Sequence, residues 1–371
     1  MFKISGSHEL QMGKNFSQYY TFTPKTLFNS NCIDIDTEVT SLLSQAHRLL
    51  GILEGISQYA PNIDTCTEMI IKKEALLSCQ IDGINAPFSD IFGMGDNQNA
   101  TARQALNCTS AMKYACNKPI SNKLICEIHD ILMNGSDNDA IGSFRTTQIF
   151  LHPCFIGNMK VYNPTAPEDM MPVLDDLEKF ISADNQYDVL IKSALIHYQF
   201  ETIHPFNGGN GRIGRILAMS VLLQHKMLSK PIIALSHYLF YNKVEYFDRI
   251  SSVQNFGDYT QWVKCFIKAI IVATDNSIRM IERCISLRDN NVQKIMTLRK
   301  ASKNTMLVYE YIEKNPIIGV RDVSDELDLS FNTVAKAVGA LVAIGILKQT
   351  NGQSRHRCFV FENLVKIFEF V

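Results

Sequence analysis

Apolar residues recur at three- and four-residue intervals along most of this chain, and that period commits it to helices packed on helices. Val39 to Ile52, Met69 to Leu77, Asn122 to Met133, Met171 to Ile181 and Val189 to Phe200 all follow it. Pro167, followed by Glu168 and Asp169, opens the helix that runs to Ile181, with acids where a helix N-terminus favours them. The run Gln148 to Tyr162, QIFLHPCFIGNMKVY, breaks the pattern. It is rich in β-branched and aromatic residues, is interrupted by Pro153 and Gly157, and predicts a short hairpin.

A length of 371 residues predicts two or three domains, and 46% hydrophobic residues suffice for ordinary cores. Thirty-six basic against 37 acidic residues leave no global field that demands nucleic acid or an anionic membrane as partner. The 10 cysteines form no Cys-x-x-Cys pair and are scattered from Cys32 to Cys358, which reads as reduced thiols. The N-terminus lacks an apolar signal core, and no stretch is long and apolar enough to span a bilayer. A soluble, cytoplasmic protein without membrane contact is expected.

The chain changes character near residue 290. Asn291 to Lys303 is polar and basic and predicts a linker helix. Met306 to Glu313, Val320 to Leu327 and Asn332 to Ile344 predict three helices, and LKQTNGQSRHRCFVF predicts a hairpin about Asn351-Gly352. Three helices and a hairpin make a winged helix-turn-helix. Lys336, Arg355, His356 and Arg357 could meet phosphates, but Asp322, Asp325, Glu326 and Asp328 oppose them. Weak, salt-sensitive DNA binding at most is expected.

Residues 204–215 read HPFNGGNGRIGR, between two apolar-patterned helices. Three glycines and two asparagines are costly inside a helix, so the stretch is a turn. Gly209, Asn210 and Gly211 can aim successive backbone N–H groups at one anion, at the start of the next helix. Arg212 and Arg215 lie three apart on one face of that helix and suit a polyphosphate. His204, at the far lip, titrates near neutrality and can take a proton. Each feature alone has a bland reading: a structural histidine, a plain turn, a solvated helix face. Their coincidence within twelve residues is what points to chemistry.

The loop resembles the signature of the Fic family, His-Pro-Phe-x-(Asp/Glu)-Gly-Asn-Gly-Arg-x-x-Arg, at every position except the acidic one, which falls at Gly208. The stretch GSFRTTQ (Gly142 to Gln148) is also similar to the family. The resemblance implies a mainly α fold, a helical core with a β-hairpin flap over the site, here followed by the winged segment. It implies transfer of AMP from ATP to a hydroxyl of a target protein docked on the flap, and to the protein itself. In those terms His204 is the catalytic base and Phe206 packs the loop into the core. The nucleotide set runs through Asn207, Gly208, Gly209, Asn210, Gly211, Arg212 and Arg215. The family's magnesium ion loses its acidic partner at Gly208, so no protein ligand for Mg2+ is assigned, and Asn207 is the neighbouring residue left to assist. Family kinases carry lysine where this chain has Gly211, which favours AMP transfer.

Residues 73–83, KEALLSCQIDG, put Ser78 and Asp82 on one helix face, with Gly83 ending the turn. Beside a Fic core this resembles the inhibitory motif Ser-x-x-x-Glu-Gly, whose acid pairs with the second signature arginine, here Arg215. Asp82 is one methylene shorter, which predicts a looser lock. The segment VEYFDRISSVQNFGDYTQW resembles the family's adenine-side helices, with Tyr246 as a candidate contact to the base. Residues 1–110 are expected to form an N-terminal helical module, 111–290 the Fic core and 291–371 the winged domain. A nucleotide-sensing, DNA-binding regulator is the alternative function, and self-association stays open.

Overall fold

The computed structural model describes residues 5–12, 18–28, 32–91, 99–136, 140–151, 163–184, 187–298, 302–350 and 357–369. Two strands come first, β1 (Gly6–Met12) and β2 (Gln18–Pro24), antiparallel with Gly6 opposite Pro24 and Met12 opposite Gln18. The helical reading had no strands here. Their signal is the Tyr- and Thr-rich run QYYTFTP, whose Phe22 is buried. β2 also bonds to the chain beyond the expected flap, Phe22 N–H donating to the Asn163 carbonyl at 2.9 Å. Of the expected flap, Gln148 to Tyr162, residues 152–162 lie outside the described residues, and 148–151 are in no strand.

Eleven helices follow: α1 (Thr37–Tyr59), α2 (Ile63–Ile81), α3 (Phe88–Ile91), α4 (Ala100–Ala115), α5 (Asn122–Met133), α6 (Pro167–Ser182), α7 (Val189–Ile203), α8 (Asn210–Gln224), α9 (Leu235–Tyr241), α10 (Lys243–Phe256) and α11 (Tyr259–Met296). Side chains that the sequence supplies start several of them: Asp36, Ser121 and Asp188 each accept a backbone N–H of the first turn. Pro167 opens α6 as expected.

The centre of the molecule is α7. It is buried all round, with Leu190, Ala194, Leu195, Tyr198 and Phe200 each at 0% exposure. Two of its polar side chains tie it to neighbouring segments: Ser193 Oγ donates to the Ala218 carbonyl at 3.0 Å, and Gln199 Nε2 to the Lys25 carbonyl at 2.9 Å. From α11, Trp262 Nε1 donates to the Ala194 carbonyl at 2.8 Å. A helix so clamped is a rigid base for whatever its C-terminus carries.

α11 runs 38 residues and passes residue 290 without a break, because Ile278, Ile281 and Ile295 continue its apolar stripe. The expected divisions at 110/111 and 290/291 therefore fall inside α4 and α11; of the expected linker helix 291–303, residues 291–296 are the end of α11, 302–303 open α12 and 299–301 lie outside the described residues. Beyond it come α12 (Ser302–Lys314), β3 (Ile317–Gly319), α13 (Val320–Leu327), α14 (Phe331–Ala343), β4 (Lys348–Gln349), β5 (Cys358–Val360) and α15 (Glu362–Glu369). The small sheet has the order β3-β5-β4. The Asn351-Gly352 turn, Arg355 and His356 lie outside the described residues, while β3 and α15 were not expected. Glu313 of α12 accepts bonds from Asn62 and Arg288, which ties this unit to α2 and α11. No described helix is long and apolar enough to cross a membrane.

Candidate functional site

His204 caps α7 in the left-handed conformation, φ 54°, and its N–H still donates to the Phe200 carbonyl at 2.9 Å. This turn aims the next residues out of the helix direction and into the loop. Nδ1 of His204 lies 3.2 Å from the Glu201 carbonyl. A carbonyl can only accept, so Nδ1 carries the proton and Nε2 keeps its lone pair. Burial pushes the imidazole down to about 4, so it is neutral at pH 7.

The loop is braced from both sides. Asn210 accepts the Phe206 N–H at 2.9 Å and donates to the Phe206 carbonyl at 2.8 Å. Its side chain is thus a clamp inside the loop, and only its backbone faces an anion. Phe206 is buried and stacks on His129 at 3.9 Å between ring centroids. Arg145, 2% exposed, donates Nε to the His204 carbonyl at 2.9 Å and reaches the carbonyls of Thr147, Thr165 and Ile203 with its other nitrogens. Burial lowers its guanidinium to about 10, still charged at neutrality. GSFRTTQ had marked the segment but not this role.

α8 starts at Asn210 behind Gly209, whose φ of 78° is one that glycine adopts without strain. The first amides of a helix have no intrahelical acceptor, so 210–212 present free N–H groups to the loop. Arg212 and Arg215 follow, 4% and 2% exposed. At Gly208 an added Cβ would meet only Met133 Cε, at 3.8 Å. The backbone there has room for an acid, but no acid is present, and Asn207 is exposed. No cluster of three His, Cys, Asp or Glu fit for a metal occurs among the described residues. The loop as built does not hold magnesium by its own carboxylate.

Asp82 occupies the place where the arginines expect an anion. It caps α2, and the turn closes with Gly83 N–H on the Gln80 carbonyl and Ile84 N–H on the Cys79 carbonyl. Gly83, at φ 85°, takes the left-handed position after the cap. Asp82 Oδ1 accepts from Arg215 Nη2 at 2.8 Å and Oδ2 from Arg212 Nε at 3.2 Å. Arg215 also donates Nε to Ser78 Oγ at 2.7 Å and Nη2 to the Ser78 carbonyl at 2.8 Å. The sequence pairs Asp82 with Arg215 alone; it bridges both arginines. A Cβ on Gly211 would lie 2.9 Å from Asp82 Oδ1, so the carboxylate sits directly over the anion loop.

Behind Arg215 lies a layer that sequence reasoning did not assign. Tyr246, 1% exposed, shares a hydrogen bond of 2.8 Å with His197 Nε2 and donates to Glu201 Oε1 at 3.5 Å. A ring so enclosed does not offer a face to adenine, and the expected base contact is corrected to a support of this layer. Burial raises the Glu201 carboxyl to about 7. Burial opposes the charge of Arg215, yet Asp82, Tyr246 and Glu201 hold its guanidinium above the ordinary value. Gly214 makes room for the layer: a Cβ there would stand 3.1 Å from both Glu201 Oε1 and His197 Nδ1. The available signal was Glu201 three residues before His204, on the same helix face.

Comparison with known proteins gives two family matches. Residues 119–222 match the Fic/DOC family and residues 40–117 its N-terminal region, so the two meet at the end of α4. Protein adenylyltransferase fic-1 of Caenorhabditis elegans is 27% identical over 169 residues, 45% of this chain and 30% of that protein. A probable protein adenylyltransferase of Aquifex aeolicus is 24% identical over 170 residues, 44% of this chain and 51% of its own. The match thus spans only about a third to a half of these curated relatives. Among solved structures, a Fic family protein from Desulfovibrio desulfuricans superposes with a TM-score of 0.59 at 16% identity, covering 90% of this chain and 98% of that one. This last likeness concerns the fold alone.

Proposed function

The chain is a Fic/DOC family protein with the family's N-terminal region, and from that premise we propose that it transfers AMP from ATP to a hydroxyl side chain of a protein, itself included, under restraint by α2. One observation carries the reading. A carboxylate, Asp82, lies on both loop arginines and over Gly211, in a loop whose base has its Nε2 free. A site that draws in a carboxylate this way is an anion site, and Asp82 stands as its inhibitor.

When Asp82 withdraws, the N-terminal amides of α8 and the guanidinium groups of Arg212 and Arg215 receive the phosphates. His204 Nε2 takes the proton of the incoming hydroxyl. The hydroxyl oxygen bonds the α-phosphorus, the bond to the bridging oxygen breaks, and pyrophosphate leaves. The loop contributes positioning and charge stabilisation. Magnesium would enter with the phosphates and water rather than on a carboxylate of this loop. The target protein would dock on the flap segment by backbone pairing.

The order α12-β3-α13-α14 with β4 and β5 supports reading the C-terminal unit as a winged helix-turn-helix. Its α13 carries Asp322, Asp325 and Glu326, which disfavours a phosphate backbone there. The alternative of a nucleotide-sensing regulator gains no support from a loop that presents a neutral, free imidazole nitrogen. The test is incubation of pure protein with α-labelled ATP and magnesium. Label on protein is expected, and more of it with Asp82→Gly. No label from either, with ATP bound, overturns the transferase reading.

A further inference from the structure

α2 turns one end to the catalytic loop, and its middle borders a second, unassigned cavity. This space of ≈ 40 Å3 lies between α2, α9 and α15 and is lined by Lys73, Leu77, Phe88, His237, Phe368 and Glu369 among others. Lys73 is 5% exposed, and its Nζ has no hydrogen-bond partner. His237 Nε2 is likewise buried without a partner.

The tautomer of His237 follows from its other nitrogen. Nδ1 lies 3.5 Å from Asn276 Nδ2, an amide nitrogen that can only donate. Nδ1 is therefore the acceptor and Nε2 carries the hydrogen. The two polar groups left unanswered at the cavity are both donors, one of them cationic. Buried donors without acceptors are costly, and a buried unpaired ammonium more so. Among the described residues Glu369 is the acid on the lining; it is exposed and bonds neither nitrogen. Burial lowers the ammonium of Lys73 to about 8, so it is still largely charged at neutral pH.

We propose that this cavity binds a small planar oxyanion of the carboxylate type, acetate- or bicarbonate-sized, with Lys73 and the Nε2–H of His237 donating to its oxygens. The size agrees, since one water needs roughly 10–15 Å3 and the space takes about three. Apolar walls from Leu77, Phe88 and Phe368 suit a methyl group and exclude a hydrated polyanion. The neighbouring contact shows what occupancy does: Glu74 accepts Ser236 N–H at 2.7 Å and Ser236 Oγ at 2.6 Å, already holding α2 against α9. A bound anion extends this seam by one residue on each helix. It steadies the helix whose end carries Ser78 and Asp82, a consequence that rests on the transferase reading, whereas the site does not.

The test is thermal melting of the full chain in sodium acetate or sodium bicarbonate against sodium chloride at equal ionic strength. Wild type is expected to gain about 2 °C at roughly ten times Kd in at least one of the first two. Lys73→Met and His237→Phe are expected to lose the gain, and Glu369→Gln to keep it. Lys73→Met, freed of the buried charge, melts no lower than wild type without added anion. Equal melting in all three salts, or an undiminished gain in both donor variants, overturns the site. Loss of transferase activity alone leaves this result unaffected.

Discussion

The loop 204–215 and the end of α2 meet at the same two arginines, but they are held in opposite ways. The loop is closed by its own backbone partners: Asn210 on Phe206, and Arg145 on the carbonyl of His204. The end of α2 reaches it mainly through Ser78 and Asp82, and the Asp82 side chain keeps 22% of its surface exposed. Under the proposed function the loop is a fixed receptor and Asp82 its plug, so inhibition could be lifted without remaking the site. On that proposal, substitutions in the loop are expected to change chemistry and those in α2 to change access.

His204→Ala breaks the receptor side most severely. A general base contributes roughly 10²–10⁴-fold, so label transfer should fall to background while ATP affinity in an Asp82→Gly background stays within about threefold. Substantial remaining transfer would remove His204 from the mechanism. The same residue sets a pH signature. The base must be neutral, and burial holds its pKa near 4 while Asp82 nudges it upward. In Asp82→Gly that nudge is gone, so kcat/KM should keep its plateau well below pH 6.5 and fall only as pH approaches the depressed value. A half-maximum at an ordinary histidine pKa contradicts the buried, neutral base.

Asp82→Gly attacks the plug. Two charge-assisted bonds are lost, each contributing about 1.5–3 kcal/mol, and the phosphates replace part of them. Initial rates of label incorporation should rise by about one to two decades. An unchanged rate makes α2 merely structural and moves regulation elsewhere. Arg215→Ala, made in that background, should cost about one to two decades of affinity for a non-hydrolysable ATP analogue by calorimetry. Unchanged affinity would place Arg215 outside the phosphate site.

Legibility in the sequence followed the same division. The loop was readable as one unit because its parts are adjacent: glycines, Asn210, Arg212 and Arg215 sit in one run. Ser78 and Asp82 were readable as a helix face, but their double contact was not, since Arg212 and Arg215 lie 130 and 133 positions from Asp82 along the chain. Arg145, His197 and Glu201 escaped because buried polar networks depend on which helices cross. Tyr246 was misassigned for the same reason: an aromatic on a helix face says nothing about whether that face meets solvent or His197. In the fold, long amphipathic helices were legible, whereas β1 and β2 went unseen: they pair with each other over seven residues, a short run beside the helical pattern, and their one further bridge, Thr21 to Asn163, spans more than a hundred residues of chain.

The smallest expected effect tests how closely the plug fits. From sequence alone, Asp82 is one methylene short and the lock should be loose, so Asp82→Glu should quieten the protein. The geometry argues otherwise. Asp82 already reaches Arg215 at 2.8 Å and Arg212 at 3.2 Å, with no unbridged gap for an added methylene to close. It also stands 2.9 Å from where a Cβ on Gly211 would be, so a longer acid has little space ahead of it. Glutamate must then bend back over a cap that is already closed by Gly83 and Ile84, and the gain in reach is spent on conformational entropy. Asp82→Glu should therefore label within about threefold of wild type, a change below ~1 kcal/mol. A tenfold fall would show that the aspartate lock is loose and that α2 stands farther from the loop in solution. A tenfold rise would show that the carboxylate must lie over Gly211, and not merely near the arginines, to keep ATP out.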